Sequence, residues 1–117
     1  MKTELSEIVK EIRDRYDLNN RDLAEKVGYS ESFINNVLYG DPQINAKLLI
    51  RHFAMNITLT QDEKLKLKKA ALKAEAKKDH MKINAYIRFL YKNRELLTEE
   101  NLKDLKKLAD QKRRVPL

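Results

Sequence analysis

The chain has no cysteine, only two glycines and two prolines, and no long apolar run. Without cysteine it can form neither a disulfide framework nor a thiolate metal site, which fits a reducing cytosol. The two histidines, His52 and His80, are too far apart in sequence for a local metal motif, so we expect no metal and no cofactor. No segment approaches the roughly 20 apolar residues of a membrane span, and the N-terminus has no signal-peptide pattern. These absences favour a cytoplasmic protein without a membrane partner.

Sequence patterns of catalysis are also missing. The chain contains no glycine-rich phosphate loop and no nucleophile motif. Its carboxylates show no pairing of the kind that acid–base catalysis uses. We therefore expect a protein that is not an enzyme.

Charge is distributed unevenly along the chain, whose net charge is +7. Residues 1–58 hold eight Lys/Arg and nine Asp/Glu, whereas residues 59–117 hold seventeen Lys/Arg and nine Asp/Glu. Basic chains often bind phosphate polymers. The second half would therefore supply most of the attraction to a nucleic acid.

Apolar residues recur at spacings of three and four along most of the chain, which predicts an all-α fold. We predict helices over residues 4–16, 20–27, 31–39 and 46–54, a fifth after Thr60, a sixth over 81–93 and a last one after Thr98. Asn19 or Asn20 suits the N-cap of the second helix. The segment 77–80 has no apolar residue and is the expected joint between the fifth and sixth helices.

The boundaries of the short helices carry capping signals. Gly28 suits a left-handed residue just past a helix end, and Ser30 suits the N-cap of the next helix. Asn45 is a good N-cap for the fourth helix, and Thr60 with Glu63 forms a capping box for the fifth. Two short helices joined by a glycine turn have the spacing of a helix-turn-helix.

One specific pattern extends from residue 18 to residue 54. It consists of Leu18, Asn19, Asn20, Leu23, Ala24, Gly28, Ser30, Phe33, Ile34, Val37, Gly40 and Asn45. With these residues the segment resembles the Xre or lambda-repressor-like helix-turn-helix family, which includes the Cro and phage immunity repressors. Including the first and fifth helices, the resemblance covers residues 4–75. It implies a five-helix DNA-binding domain at 1–76, followed by a helical dimerisation or partner-binding element at 77–117.

The resemblance also implies a DNA-contacting surface, in which the third helix enters the major groove. The residues expected to contact bases are Glu31, Ser32, Phe33, Asn35 and Asn36. Those expected to contact the DNA backbone are Asn20, Arg21, Ser30, Tyr39, Gln43, Asn45 and Lys47. Asparagine can bond to adenine and glutamate can accept from cytosine. The third helix has no Arg or Lys, so the commonest contact to guanine is missing.

The second half offers two further candidate surfaces. Lys64, Lys66 and Lys69 of the fifth helix are candidates for steering DNA phosphates, although a solvated helix face would look the same. A stripe of apolar residues follows at Ile83, Tyr86, Ile87, Leu90 and Tyr91. This stripe either folds back on the fifth helix or packs against a second copy of the chain. We favour dimerisation, because compact operator readers commonly work as dimers.

By resemblance, the expected function is that of a dimeric, sequence-specific repressor of phage or mobile-element type, with double-stranded DNA as its partner. The alternative is a protein-binding adaptor or antitoxin-like protein that uses the same helices to contact a toxin or an antagonist of a regulator. The slightly acidic helix-turn-helix segment keeps this alternative open. Its charged residues are Arg21 and Lys26 against Asp22, Glu25 and Glu31.

Overall fold

The computed structural model describes the backbone of residues 2–114 and the side chains of residues 2–108. Over this range the chain is all-α and contains no strand. The helices are α1 (Glu4–Arg15), α2 (Asn20–Val27), α3 (Glu31–Tyr39), α4 (Ala46–Asn56), α5 (Gln61–Lys78), α6 (Ile83–Lys92) and α7 (Glu99–Arg114). Short 3-10 turns precede α6 and α7 at His80–Lys82 and Arg94–Leu96. None of the helices in residues 2–114 has the length and apolarity needed to cross a bilayer.

Side-chain caps fix the starts of α1 to α5: Thr3 caps α1, and the other four caps are those that the sequence predicts. At each start an oxygen of the residue before the helix accepts a hydrogen bond from the amide three residues later; the four predicted caps are Asn19, Ser30, Asn45 and Thr60. Gly28 ends α2 in the left-handed conformation, with φ of 80°. Several boundaries differ from the prediction: α1 ends one residue earlier at Arg15, α4 continues to Asn56, and α6 is shorter, at Ile83–Lys92. Helix α5 continues to Lys78, beyond the domain boundary that we predicted after residue 76.

Helices α1–α5 pack around one apolar cluster, which we call the first cluster. The periodicity in the sequence identifies its members, since the apolar face of each helix points inward. Its largest fully buried side chains are Ile12, Leu23, Ile34, Leu49, Phe53 and Leu67. Each such side chain stabilises the fold by about 1.5–3 kcal/mol when it leaves water.

An ion pair joins α1 to the start of α5. Nε and Nη2 of Arg15 each donate to one carboxylate oxygen of Glu63 over 2.7 Å. The backbone amide of Thr60 also donates to Glu63, over 2.9 Å. Burial by itself raises the pKa of Glu63, but the bonds from Arg15 and Thr60 outweigh it and leave the pKa below its usual value. The carboxylate is therefore charged where it holds the two helices together.

A second cluster joins α5, α6 and α7. Tyr86 and Leu90 are buried in it, with 2% and 0% of their surface exposed, and they pack with Ala76 of α5. Both belong to the stripe that we predicted to contact a second copy, so the structure uses these two residues within the chain, as in the fold-back alternative. Ile83 and Ile87 are half-buried, whereas Tyr91 is 61% exposed. Dimerisation stays a prediction, with Tyr91 as the most exposed member of the stripe.

The second cluster leads to a test of how α6 is packed. Leu90→Ala removes a fully buried side chain, so we expect the free energy of unfolding to fall by about 2–5 kcal/mol. The matched control is Arg88→Ala, two positions away on the same helix and exposed, which should change it by about 0.5 kcal/mol or less. Urea unfolding followed by circular dichroism measures both. Equal effects of the two substitutions would contradict the packing of α6 on α5.

Candidate nucleic-acid interface

The turn between α2 and α3 is fixed against α4. Nδ1 of His52 lies 2.8 Å from the carbonyl oxygen of Val27, and because a carbonyl only accepts, this nitrogen carries the proton. The Tyr29 ring lies 4.5 Å from the His52 ring and stacks on Phe33 at 4.4 Å. Gly28 has φ of 80°, which side chains rarely adopt, and a Cβ there would also come within 3.3 Å of His52, so this turn favours glycine. The contacts of His52 thus attach the α2–α3 turn to α4.

Two predicted contact residues, one from each of these helices, meet at the surface. Nδ2 of Asn20, the first residue of α2, donates to Oδ1 of Asn35 in α3 over 3.0 Å. Nη1 of Arg13 in α1 donates to Oδ1 of Asn20 over 2.7 Å. Arg13 was not among the predicted site residues, since nothing in the sequence shows that α1 reaches this surface. The structure thus joins a predicted backbone contact directly to a predicted base contact, and Arg13 of a third helix supports the pair.

Tyr39 lies beside this group, at the end of α3. It is 63% exposed. The nearby side chains of Asn20 and then Arg13 lower the pKa of its phenol. Tyr39 is thus an exposed neighbour of these two residues, and its contact with the DNA backbone stays a prediction.

The other predicted base contacts differ in accessibility. Glu31 and Ser32 are exposed at the start of α3. Phe33 is half-buried, because its ring stacks on Tyr29 and packs against the first cluster. Asn36 is exposed, but its Oδ1 occupies the position that a Cβ of Gly40 would take. Gly40 thus allows the Asn36 side chain to fold back over the end of α3.

The remaining predicted backbone contacts surround the starts of α2, α3 and α4. Arg21 is exposed, and its Nε lies 3.8 Å from Glu25. The hydroxyl of Ser30 caps α3, accepting from the amide of Phe33. The side chain of Asn45 likewise caps α4. These capping oxygens already accept hydrogen bonds, so any role toward DNA is additional to a structural one.

A basic cleft of about 840 Å³ lies beside the α3–α4 loop. The predicted contacts Gln43, Asn45 and Lys47 line one side of it. The other side is formed by α5, α6 and the turn between them, with three lysines that the sequence did not single out: Lys68, Lys78 and Lys82. The cleft therefore brings the basic second half of the chain next to the α3–α4 loop.

Acidic residues modify this cleft: Glu75 and Asp79 line it, and Asp41 pairs with one of its lysines. Oε2 of Glu75 in α5 accepts from the backbone amide of Ala46, the first residue of α4, over 2.9 Å. A negative group is favoured at a helix N-terminus, where amides lack partners within the helix. Glu75 thus occupies one backbone donor at the start of α4, where we expected contacts with DNA phosphates. Asp41 forms an ion pair with Lys78 at the edge of the same cleft.

The predicted steering lysines are divided by the packing of α5. Lys66 lies 3.1 Å from Asp62 and 3.8 Å from Glu11, and Lys69 lies 3.9 Å from Glu4. These two lysines therefore face α1, where acidic groups compensate their charge. Lys64 is exposed near the α4–α5 loop. One turn further along the same side of the helix, Lys68 reaches the cleft, and the four-residue spacing from Lys64 is the signal that would have identified it.

Comparison of the chain with family models, with curated proteins and with solved structures gives no match. The candidate interface therefore rests on the structure alone. Its components are the amide pair Asn20–Asn35, supported by Arg13, and the basic cleft beside the α3–α4 loop.

Proposed function

We propose that the protein is a sequence-specific, DNA-binding transcriptional regulator, and that residues 1–76 form a five-helix domain of the Xre or lambda-repressor-like type. The observation that carries the proposal is the hydrogen bond between Asn20 and Asn35, which places the start of α2 and the exposed side of α3 on one surface. In such a complex α3 reads base edges in the major groove, while the start of α2 lies at the DNA backbone.

The basic cleft supports the proposal because its lysines can contribute to the affinity for DNA. Neutralisation of phosphates by Lys and Arg supplies a large share of protein–DNA affinity and makes it salt-dependent. The α2–α3 segment has no surplus of positive charge. Lys47 and Lys68 line the cleft next to Gln43 and Asn45, and they would supply the missing attraction to the backbone.

A dimeric repressor is the form of regulator that we propose. Two copies would bind half-sites about one helical turn apart, and linking two weak contacts raises the overall affinity. Tyr91 and Leu96 are 61% and 70% exposed and are candidates for the contact between copies. Repression would follow from occupation of an operator that overlaps a promoter, and the resemblance favours a phage or mobile element as the setting.

Selection of bound duplexes from a random pool by the full chain tests the proposal. We expect enrichment of one site with two related half-sites and a complex whose mass corresponds to two chains. Replacing both Asn35 and Asn36 by Ala should weaken binding to that site and broaden its sequence preference, with little change in thermal unfolding. Absence of duplex binding even at low salt would exclude the proposed function.

One observation favours the alternative, a protein-binding adaptor or antitoxin-like partner. Leu48 and Met55 are 42% and 76% exposed, and their spacing of seven places both on one side of α4. Exposed apolar residues on one helix face are typical of protein contacts. A stable complex with a protein partner that is lost on replacing Leu48 and Met55 by Ser, together with absent duplex binding, would support this alternative.

The cleft leads to a prediction about salt dependence. Replacing Lys47 and Lys68 by Gln should weaken binding to all duplexes and reduce the slope of log K against log salt by about one per lysine that meets a phosphate. The matched comparison is the pair Lys66→Gln and Lys69→Gln on the same helix. We expect a smaller change in slope from that pair, because both lysines are compensated by acids. A larger change would place the phosphate contacts on the α1 side of α5.

Glu75 leads to a prediction of opposite sign. In Glu75→Gln the side-chain oxygen can still accept from the amide of Ala46, but the negative charge in the cleft is removed. We expect duplex binding to become about fivefold tighter at low salt, corresponding to ~1 kcal/mol of removed repulsion. Filter binding or fluorescence anisotropy measures the change, with Glu95→Gln, an exposed carboxylate after the other end of α6, as control. Unchanged affinity would show that the cleft does not face DNA.

A further inference from the structure

Three side chains from three helices form a continuous chain of hydrogen bonds, which we call the amide relay. Arg13 of α1 donates to Asn20 of α2 over 2.7 Å, and Asn20 donates to Asn35 of α3 over 3.0 Å. The side chain of Arg13 is only 15% exposed. Asp14 anchors it, since Nε and Nη2 of Arg13 both lie 3.0 Å from the same oxygen of Asp14. The relay therefore begins at a fixed guanidinium.

The direction of the relay follows from the chemistry of its first member. A guanidinium has donors and no acceptor, whereas a primary amide has one acceptor oxygen and one NH₂ group. The atom that Asn20 turns toward Arg13 must therefore be its oxygen. Its NH₂ group then points toward Asn35, whose oxygen accepts the hydrogen bond. Arg13 thus fixes the orientation of both amides.

We propose that Arg13 sets the hydrogen-bonding character of Asn35, and with it the base preference of α3. This inference rests on the proposed function, because it assigns a base contact to Asn35. The Asn35 oxygen accepts from Asn20, which uses one of its two lone pairs and turns this oxygen toward α2, so the NH₂ group is the end of the amide that Asn35 presents to the groove. Arg13 is a positioning residue in this arrangement, since it acts through Asn20 and contacts no base.

The consequence is a preference for bases with acceptors in the major groove. Guanine presents two acceptors there, N7 and O6, and thymine presents O4, whereas the single acceptor of adenine, N7, lies beside a donor NH₂ group. Cytosine presents a donor, and the two-bond contact to adenine needs the asparagine oxygen as well as its NH₂ group. Asn35 therefore favours guanine, with thymine second, although α3 has no Arg or Lys. This differs from the adenine contact that an asparagine can make when both its oxygen and its NH₂ group are free.

Selection from a random duplex pool tests the base preference with the full chain and two variants of Arg13. Lysine is also a donor without acceptors, so Arg13→Lys should keep the guanine or thymine preference. Glutamine offers an oxygen or an NH₂ group, so Arg13→Gln should weaken that preference about tenfold at one position of the site and leave the other positions unchanged. The variant Asn35→Asp identifies the position of the site that residue 35 contacts. An ionised aspartate can only accept, so the base preference at that position should shift toward cytosine or adenine.

The side-chain amide signals of Asn20 and Asn35 in the free protein test the relay without DNA. In nuclear magnetic resonance spectra of the parent and of Arg13→Lys, the NH₂ protons of Asn20 should be shifted and slow to exchange, as expected for a donor held by Asn35. In Arg13→Gln this protection should be reduced while the backbone spectrum stays that of the folded protein. Unchanged amide signals in Arg13→Gln would overturn the relay.

The two measurements separate the relay from the proposed function. If the parent enriches no sequence, the proposed function fails and the base preference fails with it, whereas the amide signals still decide whether the relay exists. If the parent binds a specific site but selects adenine or cytosine at the position of Asn35, DNA binding is supported and the inference about Arg13 is overturned.

Discussion

Helix α5 packs into both apolar clusters, and the arrangement of the other helices depends on this packing. Leu67 and Ala71 are buried in the first cluster, and Ala76 is buried in the second. Two carboxylates of the same helix fix its rotation, since Glu63 binds Arg15 in α1 and Glu75 binds the start of α4. One helix thus sets the position of the α6–α7 pair relative to α1–α4.

The rotation of α5 also decides what its lysines do. On the side toward α1, Lys66 and Lys69 are compensated by acids. On the opposite side, Lys68 enters the cleft beside Lys47. The sequence places its basic surplus in the second half, but the packing brings only part of that surplus next to the α3–α4 loop. Net charge alone therefore overstates how much of the second half can act on a phosphate backbone.

Local features of the fold were predictable, and contacts between distant residues were not. The caps Ser30 and Asn45 depend on neighbours within three residues, and both are confirmed. The roles of Arg13 and Glu75 depend on partners that the fold brings close, which helix periodicity does not reveal. Lysines occur all round α5, and although the spacing of Lys64 and Lys68 puts both on one side, periodicity alone does not tell which side faces the cleft. Similarly, the apolar stripe that contains Leu90 shows which face of α6 is buried. It does not show whether α5 or a second copy of the chain covers that face.

The relay offers α3 an oriented hydrogen-bond donor, the NH₂ group of Asn35, although the helix has no Lys or Arg. An arginine on α3 would donate to guanine directly, but it would also bring a long and mobile charged side chain to the surface. Here the guanidinium of Arg13 lies behind the surface and is held by Asp14. It orients the amide of Asn20, which in turn orients the short amide of Asn35. A short, oriented donor loses less side-chain entropy when it binds than a mobile one. Specificity in the proposed complex would then come from the orientation of amides, while the charge that attracts DNA would come from the cleft.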